Sequence, residues 1–345
     1  MSLPFNTNRA PDIVVIGAGL IGLAIALEIA DRGGNVAVVD RGVALGGAST
    51  AAAGMLAAED PGNPAELLAL SRLSIEHYPA FLRRVEALSG MAVPFQTEVA
   101  VQHREDGSTV RLAEHSVDPR QLAEAVRAAV KATTIQLVEY ASVRSIVDEC
   151  GGSTVELSTG VSITAGALVY AAGAWSSEAG LALEGDAISV TPRKGQMLRV
   201  RLPFALDEVH RSERIYVVPR TRGPQAGTAL IGATVEDVGF DTSVHSGDLS
   251  RLRAVAAEFV PELASEVDAP MVESWAGLRP ATADGLPVLG ACSHAGRFVA
   301  TGHYRNGILL APGTAVLMAD LLEGIATRID LTALSPQRFV LSATQ

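Results

Sequence analysis

The stretch DIVVIGAGLIGLAIALEIADRGGNVAVVD, residues 12–40, admits few folds, because it passes from strand to glycine turn to helix to strand without a spare residue. Ile13, Val14, Val15 and Ile16 form the continuous β-branched run that a parallel strand buried on both faces needs. Gly17, Gly19 and Gly22 follow at G-x-G-x-x-G spacing. In such a turn the first glycine permits the tight bend, the second lets backbone approach a pyrophosphate, and the third lets the helix pack on the strand. The helix opens with its amides facing the phosphate site, carries Ile21, Leu23, Ala24, Leu27, Ile29 and Ala30 as apolar surface, and ends at Gly33-Gly34. Val36, Ala37, Val38 and Val39 make a second buried strand, and Asp40 closes it where an acid should meet a ribose hydroxyl. Glycine spacing alone would also suit a helix start in another α/β fold. With strand, helix and terminal acid in place, it predicts a dinucleotide site.

At 345 residues the chain is long enough for two cores, or for one domain with an inserted lobe. A hydrophobic share of 48% and a charged share of 19% describe a globular protein, and the net charge of -11 comes without a basic run. That balance argues against nucleic acid or an anionic membrane as partner. The apolar runs fall short of the roughly 20 residues a membrane span needs. Residues 1–10 have neither the apolar core nor the basic flank of a signal peptide, so a cytoplasmic location is expected. Cys150 and Cys292 fit no C-x-x-C or metal-ligand spacing and are expected as reduced thiols. Lys131 and Lys194 are the only lysines, so an arginine needs context before it is given a role.

After Asp40, the segment RGVALGGASTAAAGML excludes bulk throughout. It suits a wall where backbone passes close to a large flat cofactor, with Ser49 offering a hydroxyl to phosphate; an alanine-rich helix start is the plainer alternative. Residues 65–88 have helical periodicity, Phe95–His103 alternates as a strand, and Asp118-Pro119 starts another helix by the N-cap and first-turn rule. Short strands are expected at 135–140, 141–147, 153–158 and 161–164 as a meander, then a buried strand at Ala167–Gly173 ending in small residues. From Thr191 to Glu273 strands dominate with one helix, as in an antiparallel sheet with a helical cover. ESWAGLRP and LPVLG read as strands about an Asp284-Gly285 turn, RFVAT as a last parallel-type strand, GHYRNG as a loop and ILLAPGTAVLMADLL as a helix.

The glycine fingerprint, the GGAS and AAAGM segments, the AAGAW strand end, WAGLRPATADGLPVLG and GHYRNGILLAP together resemble the D-amino-acid oxidase superfamily of flavoproteins, and within it the glycine oxidases of thiamine synthesis. The resemblance spans Asp12 to about Leu322. It implies an α/β fold, with a Rossmann-like FAD-binding domain from residues 1–75, 114–190 and 275–345. An inserted α+β substrate domain built on an antiparallel sheet would come from residues 76–113 and 191–274. It implies FAD contacts at Gly17, Gly19, Leu20, Ile21 and Gly22, at Asp40 and Arg41, at Ala48 and Ser49, and at Ala53, Gly54 and Met55. Further contacts would come from Val143 and from His303, Tyr304, Arg305, Asn306, Gly307, Ile308 and Leu309. The substrate carboxylate falls to Arg279, with Tyr216, Arg305 and Met55 around it. Val235 stands where glycine oxidases can carry methionine, so it is expected to border the substrate Cα and to leave a slightly roomier pocket.

The chemistry so implied is hydride transfer from the Cα of glycine, sarcosine or D-alanine to FAD, with oxygen as the second substrate. Holding Cα against the ring and receiving charge on it are the protein's tasks, so no catalytic acid or base is expected and His303 is taken as a group that locks its loop. A planar guanidinium grips a carboxylate with two parallel hydrogen bonds, which suits Arg279; the alternative is a structural ion pair with an acid. No cysteine falls in the Arg279 segment, so FAD should be non-covalent. A homo-oligomer is expected by resemblance. The competing functions are a broader D-amino-acid or N-methyl-amino-acid oxidoreductase, and a flavin-binding module serving RNA, for which the basic patch is missing.

Overall fold

The structure is a computed structural model that describes residues 10–149, 151–178 and 188–342. Its first layer is a six-stranded sheet of β1 (Ile13–Ile16), β2 (Val36–Val39), β5 (Gln136–Val138), β9 (Ala167–Tyr170), β15 (Val288–Ala291) and β16 (Arg297–Thr301). The order is β15-β16-β9-β1-β2-β5, parallel except at β15. Alternate residues serve opposite cores. Val15 and Val38 face helices α1 (Leu20–Asp31), α3 (Leu68–Ser89), α4 (Pro119–Lys131) and α6 (Gly307–Leu322). Val14, Ile16, Ala37 and Val39 face a three-stranded meander of β6 (Val143–Glu149), β7 (Gly152–Leu157) and β8 (Ser162–Ala165). Burial on both faces is why these strands are unbroken apolar runs.

One expectation fails here. Residues 136–138 do not belong to the meander; they pair in parallel with β2 and extend the large sheet. A short apolar run looks the same in either place, and only its partner decides.

The second layer is a seven-stranded sheet, in order β14-β10-β13-β12-β11-β3-β4. Its strands are β3 (Thr97–His103), β4 (Thr109–Ser116), β10 (Thr191–Arg201), β11 (Val209–Arg211), β12 (Tyr216–Arg220), β13 (Thr228–Gly232) and β14 (Met271–Ala281). The sheet is antiparallel except where β11 meets β3. The sequence pattern missed β4 and β11, the first because only two of its eight residues are buried and the second because it is three residues long. Helix α5 (Ser246–Ala257) covers one face, seating Leu249, Leu252 and Ala256 on Leu198, Val217 and Ile231.

The expected division at residue 76 falls inside α3, whose Tyr78, Phe81, Leu82 and Val85 pack in one core with α1 and α6. Helix α6 depends on that contact. Pro312 has no N–H to offer Ile308 O, and the Tyr78 hydroxyl donates to that carbonyl at 3.1 Å. One residue on, Ser74 Oγ accepts from Gly313 N at 3.0 Å and donates to Leu309 O at 2.5 Å, bridging the helix ladder. We propose that the first lobe runs through Gly90 and that β3 and β4 open the second.

Candidate functional site

Between the two layers lies a cleft of about 540 Å³, bounded by the carboxyl ends of β1 and β2 at one end and by β10, β12 and β14 at the other. At the first end Gly17 has φ +112, and a Cβ there would stand 2.4 Å from Ala171 O. Only glycine takes both the angle and the approach. A Cβ on Gly22 would stand 1.9 Å from Gly17 O, which explains how α1 closes on the turn. Asp40 fixes the same turn, its Oδ2 accepting from Ala18 N at 2.7 Å and its Oδ1 from Gly42 N at 2.8 Å. Ser49 Oγ accepts from Leu20 N at 2.9 Å, so the hydroxyl sits at the positive end of α1.

The small-residue segment forms a short helix, α2 (Ala48–Ala51), and then a wall of the cleft from Ala51 to Met55. Gly54 has φ +87, and a Cβ there would meet Val117 O at 2.1 Å. Behind the wall Trp275 Nε1 donates to Ala51 O at 3.1 Å and Arg220 Nη2 donates to Ala53 O at 2.7 Å. Burial pushes the Arg220 guanidinium down to about 10, with Asp118 opposing the fall. These two donors set the wall's position from the second sheet.

The far wall is the loop before α6. Tyr304 has φ +44, and its N–H donates to Pro280 O at 2.9 Å, tying the loop to the end of β14. His303 is buried, with Nε2 3.1 Å from Thr314 Oγ1, and burial pushes its pKa down to about 3. Burial favours the neutral ring, which joins the loop to α6. Asn306 Nδ2 donates to Asn63 Oδ1 at 2.9 Å, a contact that the sequence did not signal.

At the second end, Arg279 on β14 extends its guanidinium across Gly195 of β10, where a Cβ would stand 2.2 Å from Nη2. Arg279 Nη1 donates to Thr234 O at 3.1 Å and to Lys194 O at 3.3 Å. Among the described residues no carboxylate lies within ion-pair distance of Arg279. The structural ion pair weighed as an alternative is therefore not what holds it. Tyr216 donates its hydroxyl to Met197 Sδ at 3.1 Å, and both close over Gly232. Burial pushes the phenol up, against the pull of Arg279 and Arg305.

The structure brings most of the expected residues to this cleft: Gly17, Gly19, Leu20, Ile21, Asp40, Arg41, Ala48, Ser49, Ala53, Gly54, Met55, Val143, Tyr216, Arg279 and His303 to Ile308 all line it. Gly22 lies behind the turn, and Leu309 is buried in the helical core, so neither lines the cleft. Val235 is a correction. It is 61% exposed and lies outside the lining, so it does not border the space before Arg279. Arg41 turns toward the surface, 4.5 Å over the Trp175 ring and 3.0 Å from Glu178. Trp175, Gly195, Met197 and Gly277 line the cleft without having been singled out as contacts. Trp175 stood within the AAGAW motif and Gly277 within WAGLRPATADGLPVLG, while Gly195 and Met197 depend on which strand lies opposite. Cys292 is buried on the meander side of the large sheet, away from the cleft, and Cys150 lies outside the described residues.

A glycine-turn cleft whose far end is an arginine on a second sheet defines a two-lobed flavin-dependent oxidoreductase. The DAO family, described as FAD dependent oxidoreductase, matches residues 12–114 and 107–321, and the chain belongs to it. Its cofactor is FAD, and the residues fit that group: the glycine turn and open start of α1 suit a pyrophosphate, and the bulk-free Ala51–Met55 wall suits a flat ring. The chain is 33% identical to the glycine oxidase of Geobacillus kaustophilus, over 95% of this chain and 97% of that protein. It is 36% identical to the bifunctional protein ThiO/ThiG of Trichormus variabilis, over 90% of this chain, and spans about half (52%) of that protein's length. The crystal structure of the Geobacillus kaustophilus glycine oxidase superposes with a TM-score of 0.88 at 31% identity, covering 95% of this chain and 98% of that one. No helix among the described residues is long and apolar enough to cross a membrane.

Proposed function

We propose that the protein carries out oxidative deamination of glycine or another small amino acid, such as sarcosine or D-alanine. The observation that carries this reading is Arg279, a cation held at the cleft by two backbone carbonyls and, among the described residues, by no acid. Its partners fix the guanidinium without neutralising it, which leaves its charge for a carboxylate. FAD bound in the cleft would supply a hydride acceptor for Cα and a route for the electrons to oxygen, giving peroxide. The imine formed from glycine hydrolyses to glyoxylate and ammonia, or is captured in thiazole assembly for thiamine; likeness to glycine oxidases and to ThiO/ThiG supports that role. The chain's own residues bind and orient. Arg279 grips the carboxylate, Tyr216 and Met55 border Cα, and exposed Arg305 adds positive charge at the rim. The glycine turn, Asp40, Ser49 and the loop from His303 to Ile308 would hold the cofactor. No side chain has to move a proton, and the neutral His303 is consistent with that. The same reading places the enzyme in the cytoplasm as a homo-oligomer.

With Val235 turned outward, size selection rests on Met55, Tyr216 and Met197. One methylene in an apolar pocket is worth about 1–3 kcal/mol. Glycine and sarcosine are expected as good substrates, D-alanine close behind and D-phenylalanine poor. Steady-state kcat/KM from peroxide release, with anaerobic flavin bleaching as control, checks this. If D-phenylalanine is the best of the four, a general D-amino-acid oxidase replaces the proposal.

The cofactor should leave with acid. Precipitation of the yellow protein is expected to release FAD into the supernatant, since no cysteine among the described residues lines the cleft. Absorbance of the two fractions decides it, and colour retained in the pellet would show a covalent link.

A further inference from the structure

Lys194, next to Gly195 on β10, has a side chain with no exposed surface, and its Nζ lies 2.9 Å from Asp241 Oδ2 and 3.3 Å from Glu236 Oε2. Its backbone pairs with the same segment, N to Glu236 O and O to Glu236 N, both at 3.0 Å. Gln196, two residues along, repeats the pattern. Its N–H donates to Thr234 Oγ1 at 2.8 Å, and its Nε2 donates to Glu236 Oε1 at 2.8 Å and Asp248 Oδ2 at 2.7 Å. Its Oε1 accepts from His245 N at 2.7 Å. The segment from 234 to 248 is thus fastened across β10 at both ends.

That fastening bears directly on Arg279. The two carbonyls that receive its Nη1, Lys194 O and Thr234 O, belong one to β10 and one to the fastened segment. Their spacing sets where the guanidinium points. A buried ammonium is costly to desolvate, and an apolar side chain of similar length would fill the volume at less cost. What lysine adds is direction: one charge pulls two carboxylates of the segment inward. Lys194 does not line the cleft.

We infer that Lys194 is a positioning residue for substrate, clamping the 234–248 segment through Glu236 and Asp241 so that Thr234 O and Lys194 O hold Arg279 at the carboxylate. This rests on the proposed carboxylate role of Arg279.

The test uses the FAD-loaded full chain, glycine kinetics, and glycolate as a non-amine carboxylate probe read by flavin absorbance. Lys194→Met is expected to raise glycine KM and glycolate Kd about 10-fold, with kcat within about 3-fold and FAD content unchanged. Asp241→Asn removes one arm at the surface and should weaken glycolate in the same direction, about 3-fold. In an Arg279→Ala background, adding Lys194→Met should change glycolate Kd by less than about 2-fold, because the effect passes through Arg279. Unchanged glycolate binding in Lys194→Met overturns the inference, as does an undiminished loss in the Arg279→Ala background. If Lys194→Met does not retain FAD, Asp241→Asn decides alone, and wild-type binding there overturns it. Wild-type glycolate binding in Arg279→Ala itself would instead remove the carboxylate assignment, and the role of Lys194 with it.

Discussion

Arg279→Ala is expected to keep the fold and FAD yet to lower kcat/KM for glycine about 30-fold or more, since losing one partner of a charge-paired contact costs about 2–5 kcal/mol. The guanidinium donates to Lys194 O and Thr234 O, and Arg279 is not among the residues expected to contact FAD. Arg279→Lys should recover part of the loss, because an ammonium keeps the charge and lacks the planar fork. Gly195→Ala should move the same guanidinium without deleting it. The new Cβ would stand 2.2 Å from Nη2 and 2.5 Å from Cζ, and the flexible arginine yields before the strand does. A rise in KM with normal FAD content is expected. Steady-state kinetics beside the flavin spectrum measures all three variants. Wild-type kcat/KM in Arg279→Ala would end the carboxylate assignment.

Gly22→Val is expected to abolish FAD retention. A Cβ at 22 would overlap Gly17 O at 1.9 Å and crowd Val15 Cγ1 at 3.2 Å. The turn cannot give way cheaply, because Gly17 N is bonded to Val39 O at 2.8 Å and Ala18 N to Asp40 Oδ2 at 2.7 Å. Overpacking of this kind costs about 1–3 kcal/mol or more, and here the strain falls on the amides that should face phosphate, so FAD affinity should drop about 100-fold or more. A cofactor at 100 times its Kd stabilises a fold by about 2.7 kcal/mol, so added FAD should raise the Tm of the wild type and leave that of the variant nearly unchanged. Flavin content per chain after gel filtration gives the direct count. A variant that elutes yellow at full occupancy would show that the turn does not carry the cofactor.

The cofactor half of the site was legible because its determinants are local. Residues 12–40 encode strand, turn, helix and strand within one short span, and the steric demands on Gly17 and Gly22 arise from that span and the neighbouring strand β9. Asp118 as helix cap is similar: its side chain accepts from Arg120 N two residues away. Apart from the approach of Ala171 to Gly17, such features are set within a few residues, and the chain alone reveals them.

Tertiary structure decided the other half. Lys194 O and Thr234 O lie 85 and 45 residues from Arg279 in the chain, and only the register of β10 on β14 and the crossing of the 234–248 segment bring them together. Strand alternation sets the parity of a side chain but not which sheet, cleft or solvent that face meets. Hence Val235 turned out to be exposed, residues 136–138 joined the parallel sheet, and Lys194, noted in the sequence only as one of two lysines, lies buried against Glu236 and Asp241. By itself the sequence determined the nucleotide fold, because periodicity and glycine sterics act over a few residues, and its resemblance to a flavoprotein family supplied FAD and the candidate arginine. How that arginine is held, and what walls the space before it, were decided by pairings between distant strands.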